Sequence, residues 1–216
     1  MHRVGQFLAG WLALLLLVAL SVSASNADDE FVLENDSDGA MKCLIFGGNG
    51  QDTYPSRYNW GASNYLCGFP GDTPAFEANR QGLWILDQID GSAYMLKNNS
   101  HGSTQCLIFG GNGTDKYPTL YDWGHDNEYC GFPGGESALR ANRQAVWYLI
   151  PLRGDSYMIK SAADGVTKCL IFGGNGTDKF PSLYDWGAGN PYCGFPGGLN
   201  ALLANKQAVW HVVAVP

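Results

Sequence analysis

The chain restates one stretch three times, and the interval between copies constrains its fold more than any local pattern does. Cys43 to Trp84 reads CLIFGGNGQDTYPSRYNWGASNYLCGFPGDTPAFEANRQGLW, and the same framework returns from Cys106 to Trp147 and from Cys169 to Trp210, a constant step of 63 residues. Every copy carries Cys-Leu-Ile-Phe-Gly-Gly-Asn-Gly, a Tyr-x-Trp-Gly, a Cys-Gly-Phe-Pro-Gly and a closing Ala-Asn-x-Gln-x-x-Trp. A function carried by these shared residues is carried in triplicate.

Residues 1–27 stand outside the repeat. His2 and Arg3 make a short basic start, Phe7 to Leu20 is apolar throughout, and small residues follow at Val22-Ser23-Ala24 and Ser25-Asn26-Ala27. The apolar run is shorter than the roughly 20 residues of a membrane span. Basic start, apolar middle and small-residue exit predict a secretory signal peptide. Cleavage after Ala27 leaves residues 28–216, which divide into repeats 28–90, 91–153 and 154–216. The expected location is extracellular, with no membrane span in the mature chain.

Without Arg3 the mature chain has twelve Lys plus Arg against twenty Asp plus Glu. An acidic surface with no basic run offers no footprint for a phosphate backbone, so nucleic acid is not an expected partner. The charged fraction is 15% and aromatics make up 13%, a composition that packs.

All six cysteines lie in the mature part, two per repeat, and six allow fifteen pairings. Threefold repetition favours the local set, and export favours oxidation. The expected bonds are Cys43–Cys67, Cys106–Cys130 and Cys169–Cys193. No closely spaced cysteine pairs with histidine partners stand ready for zinc. Gly-Asn-Gly-x-Asp supplies one acid per copy, well short of the six to eight oxygens calcium takes. No cofactor or metal is expected.

Short strand signals open each repeat at Phe31-Val32-Leu33, Tyr94-Met95-Leu96 and Tyr157-Met158-Ile159. Turns follow at Asp38-Gly39, His101-Gly102 and Asp164-Gly165, then a second strand at Cys-Leu-Ile-Phe. A long Gly-, Pro- and Asn-rich loop comes next. The repeat closes on a strand expected to run from Gln81, Gln144 or Gln207 through the tryptophan. Ala-x-x-Ala-Asn before each Gln reads as one helical turn and no more. A lone hairpin is marginal in water, so the three repeats must share a core, with Trp84, Trp147 and Trp210 facing inward. The expected fold is one all-β domain with pseudo-threefold symmetry.

A repeat of Tyr-x-Ile, turn, Lys-Cys-Leu, a long loop with a second Cys and a terminal Gln-x-x-Trp resembles the ricin-type β-trefoil lectins, over the whole mature chain. The resemblance implies a β-trefoil and carbohydrate binding. The chain departs from the family's pattern in three ways: two residues separate Gln from Trp where one is usual, the repeats are longer, and Ile45, Ile108 and Ile171 occupy the place of the family's sugar-holding Asp just after Cys-Leu.

The enlarged loops carry the candidate binding residues. They are Asn49, Asp52, Tyr58, Trp60 and Asn64 in the first copy, and Asn112, Asp115, Tyr121, Asp122, Trp123 and Asn127 in the second. The third offers Asn175, Asp178, Tyr184, Asp185, Trp186 and Asn190. Sugars present apolar C–H faces and hydroxyl rims, so a site pairs an aromatic platform with carboxylate and amide groups. The same residues also suit a bland role, with Tyr and Trp packed under the disulfide and Asp and Asn forming turns. Four sequons, at Asn35, Asn98, Asn112 and Asn175, are possible glycosylation acceptors.

No serine-hydrolase elbow, zinc-protease helix or phosphate loop is present, and an enzyme is not expected. The expected function is a secreted lectin with up to three equivalent loop sites. The alternatives are a protein-binding trefoil, either a protease inhibitor or an extracellular structural module, and, further off, a glycosidase. An inhibitor predicts one distinctive loop; a glycosidase predicts carboxylates in one repeat that the others lack.

Overall fold

The computed structural model describes residues 30–35, 37, 42–46, 56–58, 66–69, 71–98, 100, 105–109, 119–121, 129–130, 132, 134–163, 168–172, 182–184, 192–193, 195 and 197–215. Six strands with apolar residues at alternate positions form a ring: β1 (Glu30–Asn35), β4 (Trp84–Asp90), β5 (Ala93–Asn98), β8 (Trp147–Pro151), β9 (Ser156–Ser161) and β12 (Trp210–Ala214). Each pairs antiparallel with the next, and β12 returns to β1 with Phe31 opposite Ala214 and Glu34 opposite His211. Closure leaves the barrel no open edge. Turns at Gly91-Ser92 and Gly154-Asp155 make β4–β5 and β8–β9 hairpins.

The remaining strands hang from this ring in three pairs. They are β2 (Lys42–Ile45) with β3 (Ser56–Tyr58), β6 (Gln105–Ile108) with β7 (Thr119–Tyr121), and β10 (Cys169–Ile171) with β11 (Ser182–Tyr184). The first member of each pair joins a barrel strand at its cysteine: Glu34 faces Cys43, Lys97 faces Cys106, and Lys160 faces Cys169. The bonds Cys43–Cys67, Cys106–Cys130 and Cys169–Cys193 are formed, as repetition predicts. Closing a loop of about 25 residues stabilises a fold by roughly 3 kcal/mol in the chain-entropy picture.

Two sequence expectations need correction. The single helical turn is an eight-residue helix in every repeat: α1 (Asp72–Asn79), α2 (Gly135–Asn142) and α3 (Gly198–Asn205). Eight residues are too few for a helical period to show, and α2 and α3 each bury just one leucine, Leu139 or Leu202. Gly71, Gly134 and Gly197 start the helices at φ 94°, 93° and 91°, where a Cβ would lie 2.8 Å from the Cβ of Ala75, Ala138 or Ala201. Only glycine suits that junction. The closing strand begins at the tryptophan and not at the glutamine, because the chain is still turning there. Arg80, Arg143 and Lys206 adopt positive φ and donate their N–H to Phe76, Leu139 and Leu202 carbonyls. The Asn79, Asn142 and Asn205 side chains accept from the N–H of Gln81, Gln144 and Gln207.

These contacts explain Asn-x-Gln-x-x-Trp. The glutamine's carbonyl accepts from the N–H of Phe46, Phe109 or Phe172. The tryptophan indole N–H donates to Leu44, Leu107 or Leu170 carbonyl oxygen at 2.8, 2.7 and 2.9 Å. Trp84, Trp147 and Trp210 are wholly buried in the barrel with Leu33, Leu96 and Ile159. Outside the barrel, each disulfide packs with its helix and a Phe-Pro-Gly phenylalanine in a satellite core, Phe69, Phe132 or Phe195.

Asn35 and Asn98 are buried, at 0% and 1% exposure, and they join neighbouring repeats. The Asn35 amide donates to Val209 carbonyl at 2.9 Å, and the Asn98 amide to Leu83 carbonyl at 2.9 Å. A glycan would replace a hydrogen on the donating nitrogen and would have no exit. The folded protein is therefore expected to carry no glycan at Asn35 or Asn98 when made in a glycosylating host. Glycopeptide mapping checks this, and an occupied Asn98 in folded material would contradict the buried geometry.

Candidate functional site

Among the candidate residues, Tyr58, Tyr121 and Tyr184 have described backbones, in β3, β7 and β11 opposite Cys43, Cys106 and Cys169. The others lie outside the described residues: Asn49, Asp52, Trp60 and Asn64; Asn112, Asp115, Asp122, Trp123 and Asn127; Asn175, Asp178, Asp185, Trp186 and Asn190. The turns Asp38-Gly39, His101-Gly102 and Asp164-Gly165 and the sequons at Asn112 and Asn175 also lie outside them.

What the structure does place is the attachment of these segments. Residues 47–55 leave from β2 and rejoin at β3, with Ile45 paired to Ser56 and Phe46 bound to the Gln81 carbonyl. Residues 59–65 leave after Tyr58, which pairs with Cys43, and end beside Cys67, which is bonded to Cys43. Cys43 thus holds a described residue on either side of the stretch 59–65, Tyr58 by strand pairing and Cys67 by its bond. Cys67, Cys130 and Cys193 hold φ of 53°, 54° and 56°, so the chain reverses sharply at each bond. Recognition groups characteristically sit on loops that a rigid scaffold positions.

Ile45 and Ile171 are buried and Ile108 is half-buried against the satellite cores, so these three positions pack and offer no hydrogen bond to a sugar. Charge is concentrated one strand away. Glu34 is buried with its carboxyl 3.6 Å from Cys67 Sγ. A bonded sulfur has no hydrogen to give, so a protonated carboxyl is the natural donor there. Burial, with the Asp155 charge added, pushes the Glu34 carboxyl up to about 7. Glu34, Cys43 and Cys67 come close enough together to hold a metal ion, but both sulfurs are used in the disulfide and one ligand atom remains.

The first and second repeats together line a small cavity of about 100 Å³ with Asp87, Gln88, Ile89, Met95, Tyr129 and Glu136. Its carboxylates are neutralised in place. Asp87 pairs with Lys97. Glu136 meets Arg140 at 2.7 Å and accepts from the Tyr129 hydroxyl at 3.1 Å, and the Arg140 hydrogen bond holds it below the usual carboxylate range. A glycosidase acid requires a raised carboxyl; Glu136 is shifted the other way.

No protein-family model matches the chain, and no curated protein does. Solved structures do. The designed 3-fold symmetric protein ThreeFoil superposes with a TM-score of 0.51 at 16% identity, covering 86% of this chain and 99% of its own. Cry35Ab1 superposes with a TM-score of 0.50 at 16% identity; the match covers 89% of this chain and 37% of Cry35Ab1. A salivary protein from Culex quiquefasciatus of the Cysteine and Tryptophan-Rich family reaches a TM-score of 0.48 at 12% identity, over 90% of this chain and 99% of its own. At such identities a likeness speaks to fold alone. The closed ring, its three pendant strand pairs and the likeness to ThreeFoil define the class as an all-β protein of trefoil-like fold.

Proposed function

We propose that the chain is a β-trefoil carbohydrate-binding protein, exported and disulfide-bonded, whose sites are the enlarged loops of its three 63-residue repeats. The observation that carries this reading is the anchoring of the Tyr-x-Trp-Gly segment. In every repeat its tyrosine pairs with the cysteine strand, and that cysteine's disulfide closes the loop that follows. Tyr, Asp and Trp in each segment supply an aromatic face beside hydrogen-bonding groups, which is the complement of a sugar. Three weak sites on one body gain avidity on a glycosylated surface. An extracellular location agrees with three disulfides, and no helix among the described residues is long and apolar enough to cross a membrane. Residues 1–27 are the proposed leader.

A glycan array probed with residues 28–216 is the test. Binding to a defined set of glycans is expected, rising steeply with glycan density. Folded protein that binds no glycan at any density contradicts the reading and favours the protein-binding alternative.

A further inference from the structure

One buried position is not filled alike in the three repeats. Glu34, Lys97 and Lys160 are equivalent, and all are buried, with 4%, 7% and 7% of their surface exposed. Each faces the first cysteine of its disulfide across one ladder. Across the other ladder Glu34 faces His211, Lys97 lies level with Ile85, and Lys160 faces Tyr148. Directly opposed residues on one sheet face bring their Cβ atoms within about 5 Å.

The two lysines differ in their counter-charge. Lys97 is paired with Asp87. The position equivalent to Asp87 one repeat on is Ile150, and Lys160 has no carboxylate or hydrogen-bond partner among the described residues. Tyr148 beside it is half-buried and its hydroxyl has no partner among them either. An ammonium with little water around it and no anion beside it is poorly compensated, and burial holds Lys160 below the usual lysine range. Tyr148, opposite Lys160 across the β8–β9 ladder, packs its apolar part against the satellite core of the second repeat, while Lys160 faces Cys169 at the root of the third disulfide.

We propose that Lys160 and Tyr148 form an anion subsite in the third repeat that takes the carboxylate or sulfate of an acidic sugar. The inference rests on the carbohydrate reading and deepens it, by making the third site differ in ligand class from the other two. Lys160 donates a charge-assisted hydrogen bond to the anion. Tyr148 adds a hydroxyl and an apolar face for the sugar ring. The chain's net charge of −7 opposes polyanions, so one anionic substituent is recognised and not a charged polymer. The first repeat cannot do the same, because Glu34 gives its equivalent position a carboxyl.

The test uses residues 28–216 on surfaces bearing a neutral galactoside, its sulfated form or its sialylated form, with Lys160→Met and Lys97→Met alongside the parent. At least one acidic probe is expected to bind about tenfold more tightly than the neutral one. Lys160→Met abolishes that preference and leaves neutral binding intact; Lys97→Met keeps it. The preference fades with rising pH earlier than an ordinary lysine would allow. Lys160→Met is expected to melt no lower than the parent, since an apolar chain replaces an unpaired buried charge. Sulfated and sialylated arms identify which anion is taken. Neutral binding without any acidic preference overturns the subsite and leaves the carbohydrate reading standing. A preference that survives in Lys160→Met places the anion elsewhere and also overturns it. Failure of folded protein to bind all three probes removes both.

Discussion

Trp147→Ala is expected to lower the unfolding free energy by about 4–5 kcal/mol, the upper part of the range for a buried tryptophan. Two losses add. The ring is fully buried in the barrel with Leu96, Leu107 and Leu149, and its removal leaves a cavity among them. Its N–H also donates at 2.7 Å to the Leu107 carbonyl, which loses that bond inside the core. The bond joins the closing strand of the second repeat to β6 of the same repeat, so the pendant strand pair loosens with it. Denaturant unfolding measures the effect through the midpoint and slope. An unchanged midpoint would contradict the core assignment, since Trp84 and Trp210 stand in the same role.

Glu34 is expected to make stability fall by up to about 3 kcal/mol between mildly acid and mildly alkaline solution, a tenfold difference in proton affinity being worth about 1.4 kcal/mol. Its folded-state pKa of about 7 lies above the ordinary 4.5, so the folded protein holds this proton more tightly than the unfolded chain does. The contribution is complete below pH 4.5 and is lost as pH rises through 7. His211 on β12 faces Glu34, and its ring lies 3.4 Å from Asp155, the like charge that adds to the effect of burial. Lys42 neighbours it on β2, one residue before Cys43. Glu34→Gln keeps the shape and removes the titration, so the variant is expected to show a flatter stability profile from about pH 5 to 8. Parallel profiles for parent and variant would show that Glu34 is not protonated in the folded state.

Much of the architecture is readable from residues. The strands at Phe31-Val32-Leu33, Tyr94-Met95-Leu96 and Tyr157-Met158-Ile159 announce themselves by β-branched and aromatic residues, and the fixed cysteine spacing identifies the disulfides. The inward tryptophans follow from the need for a shared core. The helices are hidden by their length and by the glycine before each, which a linear reading takes for more loop. The buried sequon asparagines are hidden for a different reason. Asn35 and Asn98 sit at strand ends where sequence alone suggests exposure, but their amides are used between repeats, in contacts 174 and 15 residues apart. The difference among Glu34, Lys97 and Lys160 is visible when the repeats are aligned with one another, yet its meaning depends on burial and on Asp87, which repeat spacing does not place beside Lys97. Tyr58, Tyr121 and Tyr184 read as loop residues and lie on strands, because three residues are enough to pair with the cysteine strand.

The central claim, that the loops bind glycans, is tested most directly by measuring glycan-surface binding and thermal unfolding on Trp123→Ala and Trp186→Ala. Both residues lie in the segments that follow β7 and β11, outside the described residues. Each variant is expected to keep the parent's melting temperature while losing binding to a dense glycan surface. The loss should exceed that seen with a soluble monovalent sugar, because each bound site raises the local concentration for the next. Intact binding in both variants, or binding lost only in step with a falling melting temperature, would contradict the account and return these tryptophans to a packing role.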